Sequence, residues 1–235
     1  QKNKKNYIQA LPVEIEKSSF LRKNPFCPHY PRCGGCKWQP LSYDTQLKYK
    51  EKLVEKAFIH IGKFKKEELP LLPIVPAVEL FHYRNKMEFS FGPQRGKLTL
   101  GLHEPGSWNK IFDVKNCKLF TELSNSILSY VRRKADEIDI PAYDNYSHKG
   151  ALRFLVMKRG VNTGELLVNL ISSRQFLEKS EKLADAITAA YPEITTVIHS
   201  VTDSKAAVAV GEEERVIKGK GSIKEHLLGN TFLIS

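Results

Sequence analysis

Three cysteines stand close together as Cys27-x5-Cys33-x2-Cys36, and the fourth in the chain, Cys117, lies alone far downstream. Thiolates are soft ligands, so four of them select zinc or an iron-sulfur cluster over hard cations and complete a tetrahedral site or a cubane. Three come from one tight loop, and the distant fourth ties that loop to the fold. Gly34 and Gly35 lie between Cys33 and Cys36, where a backbone curling around a metal leaves no room for a Cβ. Pro28 and Pro31 stiffen the longer gap. The spacing is neither that of zinc ribbons, which pair two C-x2-C knuckles, nor the C-x3-C-x2-C run that leaves one iron open for radical chemistry. A closed site of this kind is structural or recognition-related rather than catalytic, and zinc and iron both suit it.

Other thiol chemistry fits less well. Two disulfides are arithmetically possible, but no secretory signal is present, and the polar, lysine-rich N-terminus argues for a reducing cytoplasm. A thioredoxin-type reading of Cys33-Gly34-Gly35-Cys36 needs a helix to follow, and Lys37-Trp38-Gln39-Pro40 opens none.

The surroundings of the thiols are strongly basic. Residues 1–66 carry 15 Lys and Arg against 5 Asp and Glu, whereas residues 67–235 carry 22 against 21. Nearly all of the net charge of +11 therefore surrounds the cysteine loop. A one-sided field of this size suits a polyanion, with a solvated lysine surface as the plainer alternative. Phe20, Phe26, Tyr30, Trp38 and Tyr43 are interleaved with the charge and favour RNA, whose unpaired bases stack on such rings. A length of 235 residues allows one large or two small domains, and 41% hydrophobic residues suffice for a core. No apolar run approaches the roughly 18 residues of a membrane span, so no membrane partner is expected.

The elements that must position these residues can be outlined. Residues 7–15 have a β composition, with Pro12 marking an edge or bulge. A helix is predicted over residues 42–61, with Ser42 as N-cap, Gly62 as C-cap and one apolar stripe of Leu47, Val54, Ala57, Phe58 and Ile61. Pro70, Pro73 and Pro76 mark an extended linker. Alternation predicts one hairpin from residues 87–91 and 98–102 and another from 152–158 and 166–171. Helices are expected over 122–136 and 177–190, and short strands over 196–200, 206–210 and 215–218. The fold class is α+β, a mainly antiparallel sheet of hairpins with helices on one side.

These residues together resemble the RNA 5-methyluridine (uracil-C5) methyltransferase family. The likeness runs from the cysteine loop through Lys37-Trp38-Gln39, Leu41-Ser42-Tyr43, Gln46 and Lys50 to Tyr83-Arg84-Asn85-Lys86. It continues through Gly101-x5-Ser107-x4-Phe112-Asp113-Val114 to Cys117, in order over the whole chain. The resemblance implies a 4Fe-4S cluster on Cys27, Cys33, Cys36 and Cys117, in a central domain that binds and unfolds ribosomal or transfer RNA. It also implies a preceding β-barrel TRAM domain and a following Rossmann-like S-adenosylmethionine domain. There a cysteine attacks C6 of uridine, C5 receives the methyl group and a glutamate-type base removes the C5 proton.

The chain departs from that pattern in having no Gly-rich strand-to-helix turn with a downstream acid. No cofactor-binding residue is assigned for S-adenosylmethionine. With all four thiols given to the cluster there is no catalytic residue either, so the fragment is expected to be inactive. The expected organisation is a TRAM-like remnant (1–17), the cluster loop (18–40), a helix and linker packing on the missing methyltransferase domain (41–76), the RNA-recognition domain (77–230) and the start of the missing domain (231–235). RNA contacts are expected from Lys37, Trp38, Arg84 and Lys86, with a structural salt bridge as the equal alternative for Arg84 and Lys86 and a core anchor for Trp38; His29 reads first as an exposed loop histidine and second as a donor to a cluster sulfur or to RNA. The stripe on residues 42–61, left uncovered, is expected to form a dimer contact or to be disordered. The alternatives are a stand-alone RNA-binding module with a structural zinc or iron-sulfur site, and an electron-transfer protein, which the basic surface does not suit.

Overall fold

In the computed structural model, which describes residues 2–4, 7–9, 13–94 and 97–235, the chain opens with a short antiparallel pair, β1 (Lys2–Lys4) and β2 (Tyr7–Gln9). Among the described residues the β reading of residues 7–15 holds for β2. Residues 10–12 lie outside the described residues, and Val13 and Ile15 are exposed and unpaired in any ladder. The chain divides into a smaller unit, residues 1–28 and 38–76, and a larger one, residues 29–37 and 77–235.

The smaller unit is built on α1 (Tyr43–Lys56). The Ser42 hydroxyl accepts the Thr45 N–H at 3.3 Å, and Asp44 in the first turn complements the helix dipole. The helix widens into a π-turn over Ala57–Ile61, where the Gly62 N–H donates to the Ala57 carbonyl at 3.0 Å. No residue of α1 or the π-turn is buried, and Val54, Phe58 and Ile61 are 49%, 41% and 82% exposed. The stripe is thus helical and exposed among the described residues.

The larger unit holds β3 (Lys86–Gln94), β4 (Lys97–His103), β5 (Ile111–Asp113), α2 (Glu122–Glu137), β6 (Leu152–Arg159) and β7 (Leu166–Ser172). It continues through α3 (Leu177–Ala190), β8 (Thr196–Val201), β9 (Glu213–Lys218), β10 (Ile223–Leu227) and β11 (Asn230–Ile234). Seven strands form one sheet in the order β5-β4-β3-β6-β7-β8-β9. Its pairs are antiparallel except β7 with β8, and a parallel pair needs a crossover, which α3 provides.

Period-two alternation sends Met87, Phe89, Phe91, Leu100, Leu155 and Leu170 to one face. There they form a core with Ile127, Leu128 and Val131 of α2 and Leu183, Ala184 and Ile187 of α3. Each large side chain fully buried in it contributes about 1.5–3 kcal/mol. Leu167 and Ile198 point the other way and pack with Ile223 and Ile234 of the β10–β11 hairpin. Residues 231–234, where a further domain is expected to open, lie in β11 and pair with β10.

One strand expectation fails. Residues 206–210 form a loop, because the Arg153 guanidinium binds the Ser204 and Ala206 carbonyls at 2.5 and 2.6 Å and so takes acceptors a ladder would use. Among the described residues no helix is long and apolar enough to cross a membrane.

Candidate functional site

Cys33, Cys36 and Cys117 belong to the larger unit and pack on its core, Cys117 buried and the other two half-buried. Cys27 lies in the smaller unit, where its N–H donates to the Gln39 side-chain carbonyl at 3.2 Å. None of the four forms a disulfide. The donor set suits a soft metal by chemistry. No group of three or more such side chains is gathered closely enough to hold a metal among the described residues.

The knuckle is seated by backbone. The Cys33 N–H donates to His29 and the Gly34 N–H to the His103 carbonyl of β4, at 2.9 and 3.0 Å. A Cβ on Gly34 would lie 2.3 Å from that carbonyl oxygen, and one on Gly35 would lie 2.8 Å from a Leu102 methyl. Close approach to β4 therefore demands both glycines, a different reason from the metal-wrapping one inferred from sequence.

Cys117 is held from α2. The Asn125 carboxamide accepts the Cys117 N–H at 2.8 Å and donates to the Cys117 carbonyl at 3.2 Å, closing a two-sided clamp on that residue's backbone. Two turns further along the same face, Arg132 places Nε 2.7 Å from Asp113 Oδ1 and donates from Nη2 to the Val114 carbonyl at 2.6 Å. The approach to Cys117 is thus braced at Asp113, Val114 and Cys117. Sequence reasoning missed Asn125 and Arg132. Their signal is a seven-residue spacing that places both beside the buried Leu128, three residues after Asn125 and four before Arg132.

The expected RNA-binding residues fall in both units. Lys37 is exposed in the larger unit. Trp38 lies in the smaller unit, where its ring meets Tyr49 edge-on at 6.4 Å and its carbonyl accepts from Gln46 at 3.1 Å. Arg84 faces inward, with Nη1 3.3 Å from the Met87 sulfur and Nη2 donating to the Gly35 carbonyl at 3.5 Å, which joins it to the knuckle. Lys86 is exposed and pairs with Glu88 at 2.6 Å.

His29 is buried instead of exposed. Its Nε2 accepts the Lys115 N–H at 3.4 Å, and its ring leans on Phe112 at 5.3 Å. Burial holds its imidazole below the usual pKa.

No protein-family model matches the chain. Over its whole length it is 36% identical to an uncharacterized RNA methyltransferase of Chlorobaculum tepidum, covering 51% of that protein. Over 99% of its length it is 33% identical to another of Porphyromonas gingivalis, covering 54%. Among solved structures it matches the Pyrococcus abyssi tRNA (uracil-54, C5)-methyltransferase in complex with S-adenosyl-L-homocysteine. That match has a TM-score of 0.67 and 26% identity, over 94% of this chain and 47% of that one. The chain is thus similar over its whole length to RNA methyltransferases, and it spans about half the length of the curated relatives it matches.

Proposed function

We propose that this chain is the RNA-recognition part of an S-adenosylmethionine-dependent RNA uracil-C5 methyltransferase acting on ribosomal or transfer RNA in the cytoplasm. The observation that carries the reading is the end-to-end alignment with RNA methyltransferases of which the chain covers about half. The basic excess of residues 1–66 supports an RNA partner. Donor site and nucleophile are assigned to the half of the relatives that the chain does not span, so the 235-residue piece alone transfers no methyl group. Residues 1–17 are assigned to a TRAM-like domain. Residues 41–76 are assigned to contact with the methyltransferase domain, which covers the α1 stripe in place of a second copy.

In the same reading Cys27, Cys33, Cys36 and Cys117 hold a 4Fe-4S cluster. Bound there, it supplies a closed soft-metal crosslink and no reaction centre. The glycines keep the knuckle against β4, Asn125 keeps Cys117 in place, and Arg84 braces Gly35. Lys37 and Lys86 offer charge to phosphates, and Trp38 offers a stacking surface.

Methyl transfer by the full-length protein to unmodified ribosomal and transfer RNA, with mapping of the product base, tests the activity. The expected product is 5-methyluridine, and methylation of any other base overturns the reading. Anaerobic purification with metal analysis tests the cluster: about four irons per chain are expected. A colourless protein with one zinc per chain would overturn the assignment.

A further inference from the structure

On the sheet face opposite the helices, β3, β4, β5 and β6 place Ser90, His103, Ile111 and Phe154 together by their alternation. These residues floor a cavity of about 220 Å³ lying wholly within the larger unit. Two loops raise aromatic rings at its rim, Trp108 from the loop between β4 and β5 and Tyr146 from the segment before β6. They are 58% and 66% exposed, a large apolar surface left in water.

The rings are nevertheless fixed. Their centroids lie 5.0 Å apart with planes inclined at 54°, forming an open corner. The Asn109 amide donates to the Tyr146 hydroxyl at 2.9 Å, and the Ser107 hydroxyl donates to Asn109 Oδ1 at 3.0 Å. The Tyr146 and Ser147 N–H groups donate to Asp144 Oδ1 at 2.7 and 2.9 Å. A ring corner held in place before any ligand arrives lowers the ordering cost of binding.

The chemistry of the cavity selects the ligand. Arg153 lies in its wall, but its guanidinium is committed to the Ser204 and Ala206 carbonyls and lies over the Tyr143 ring at 4.4 Å. A phosphate would find that cation already engaged. The volume is below the roughly 300 Å³ at which drug-sized pockets begin, so it suits a single ring system. The Asp144 carboxylate also lines the cavity and accepts the Tyr146 and Ser147 N–H groups, and the remaining polar lining is neutral, with His103 Nε2 3.2 Å from the Ser90 hydroxyl. Burial lowers the His103 pKa against an opposing hydrogen bond with the Trp108 backbone, and the neutral imidazole has one donor and one acceptor that a ligand edge would share with Ser90 and Trp108.

We propose that this cavity receives one unstacked nucleobase of single-stranded RNA, stacked in the corner of Trp108 and Tyr146 and read at its edge by His103, Ser90 and Asn109. The inference rests on the RNA-binding reading above and adds a site to it.

The test is fluorescence anisotropy of the 235-residue chain with a labelled single-stranded RNA dodecamer of mixed sequence. Trp108→Ala and Tyr146→Ala are each expected to weaken binding by about 5- to 150-fold. Trp108→Phe should retain most of the affinity, because it keeps a stacking face. The salt slope should stay at the wild-type value, since no phosphate contact is removed. Thermal melts matching wild type establish that the variants fold, as expected for exposed side chains. Wild-type affinity in both alanine variants overturns the pocket while leaving the RNA reading intact. Equally tight binding of an abasic dodecamer, or a reduced salt slope in Trp108→Ala, overturns it too. If the wild-type chain binds no RNA at any salt concentration, both readings fall.

Discussion

Helices α1 and α2 are nearly matched in design and opposite in use. Each starts at a hydroxyl cap, Ser42 accepting from Thr45 and Thr121 from Ser124, and each has an acid in its first turn. Yet α1 buries no residue, whereas α2 buries six, among them Ile127, Leu128 and Val131. Caps and periodicity make a helix, but only a partner surface makes it part of a core. The contrast assigns the stability of the larger unit to α2 and leaves the stripe of α1 for contacts beyond those described.

The difference can be broken most forcefully at the stripes themselves. Leu128→Ala in α2 should cost about 2–5 kcal/mol in urea melts, while Val54→Ala in α1 should stay within about 0.5 kcal/mol. Equal costs would mean that the α1 stripe is buried in solution. Next in size is Arg132→Met, which strips Asp113 of its α2 partner and should cost about 1.5–3 kcal/mol by the same measurement.

The pH dependence follows. His199 is buried with its Nε2 2.9 Å from the Ser172 hydroxyl, and burial pushes its pKa below the usual value, with Glu181 and Asp185 opposing and Arg215 adding to the shift. The unfolded chain then binds the proton first. Stability is therefore full above about pH 6.5 and falls as the pH drops toward the folded-state value. Denaturant midpoints at pH 7.5 and 5 should show that fall, and His199→Gln should flatten it.

The smallest effect separates the caps. Thr121→Ala should lower global stability by about 1 kcal/mol. Ser42→Ala should fray α1, visible as lost helical ellipticity, and leave the melt of the larger unit unmoved.

Much of the fold was readable because both periodicities are clean. Residues 87–91 and 98–102 alternate, and the helices near 122–136 and 177–190 carry regular apolar stripes that the sheet covers. The alternation of Ala and Val in 206–210 misled, since a buried arginine from another strand claims the backbone there.

At the candidate site, residue types were legible and their supports were not. Asn125 and Arg132 read as ordinary polar positions of a surface helix until the packing turns them toward Cys117 and Asp113. Trp108 and Tyr146 lie far apart in sequence and meet only because two loops rise from neighbouring parts of one sheet.

The pairing of Ser90 with both Gly101 and Phe154 has a kinetic consequence. The sheet consists largely of two local hairpins, β3–β4 and β6–β7, joined along a seam whose partners are distant in the chain. Short loops close quickly and long ones slowly, so the hairpins precede the seam in assembly. The intervening segment carries both Cys117 and the helix that clamps it. Until the seam closes, Cys117 remains on an unanchored loop, which makes its burial a late event in folding.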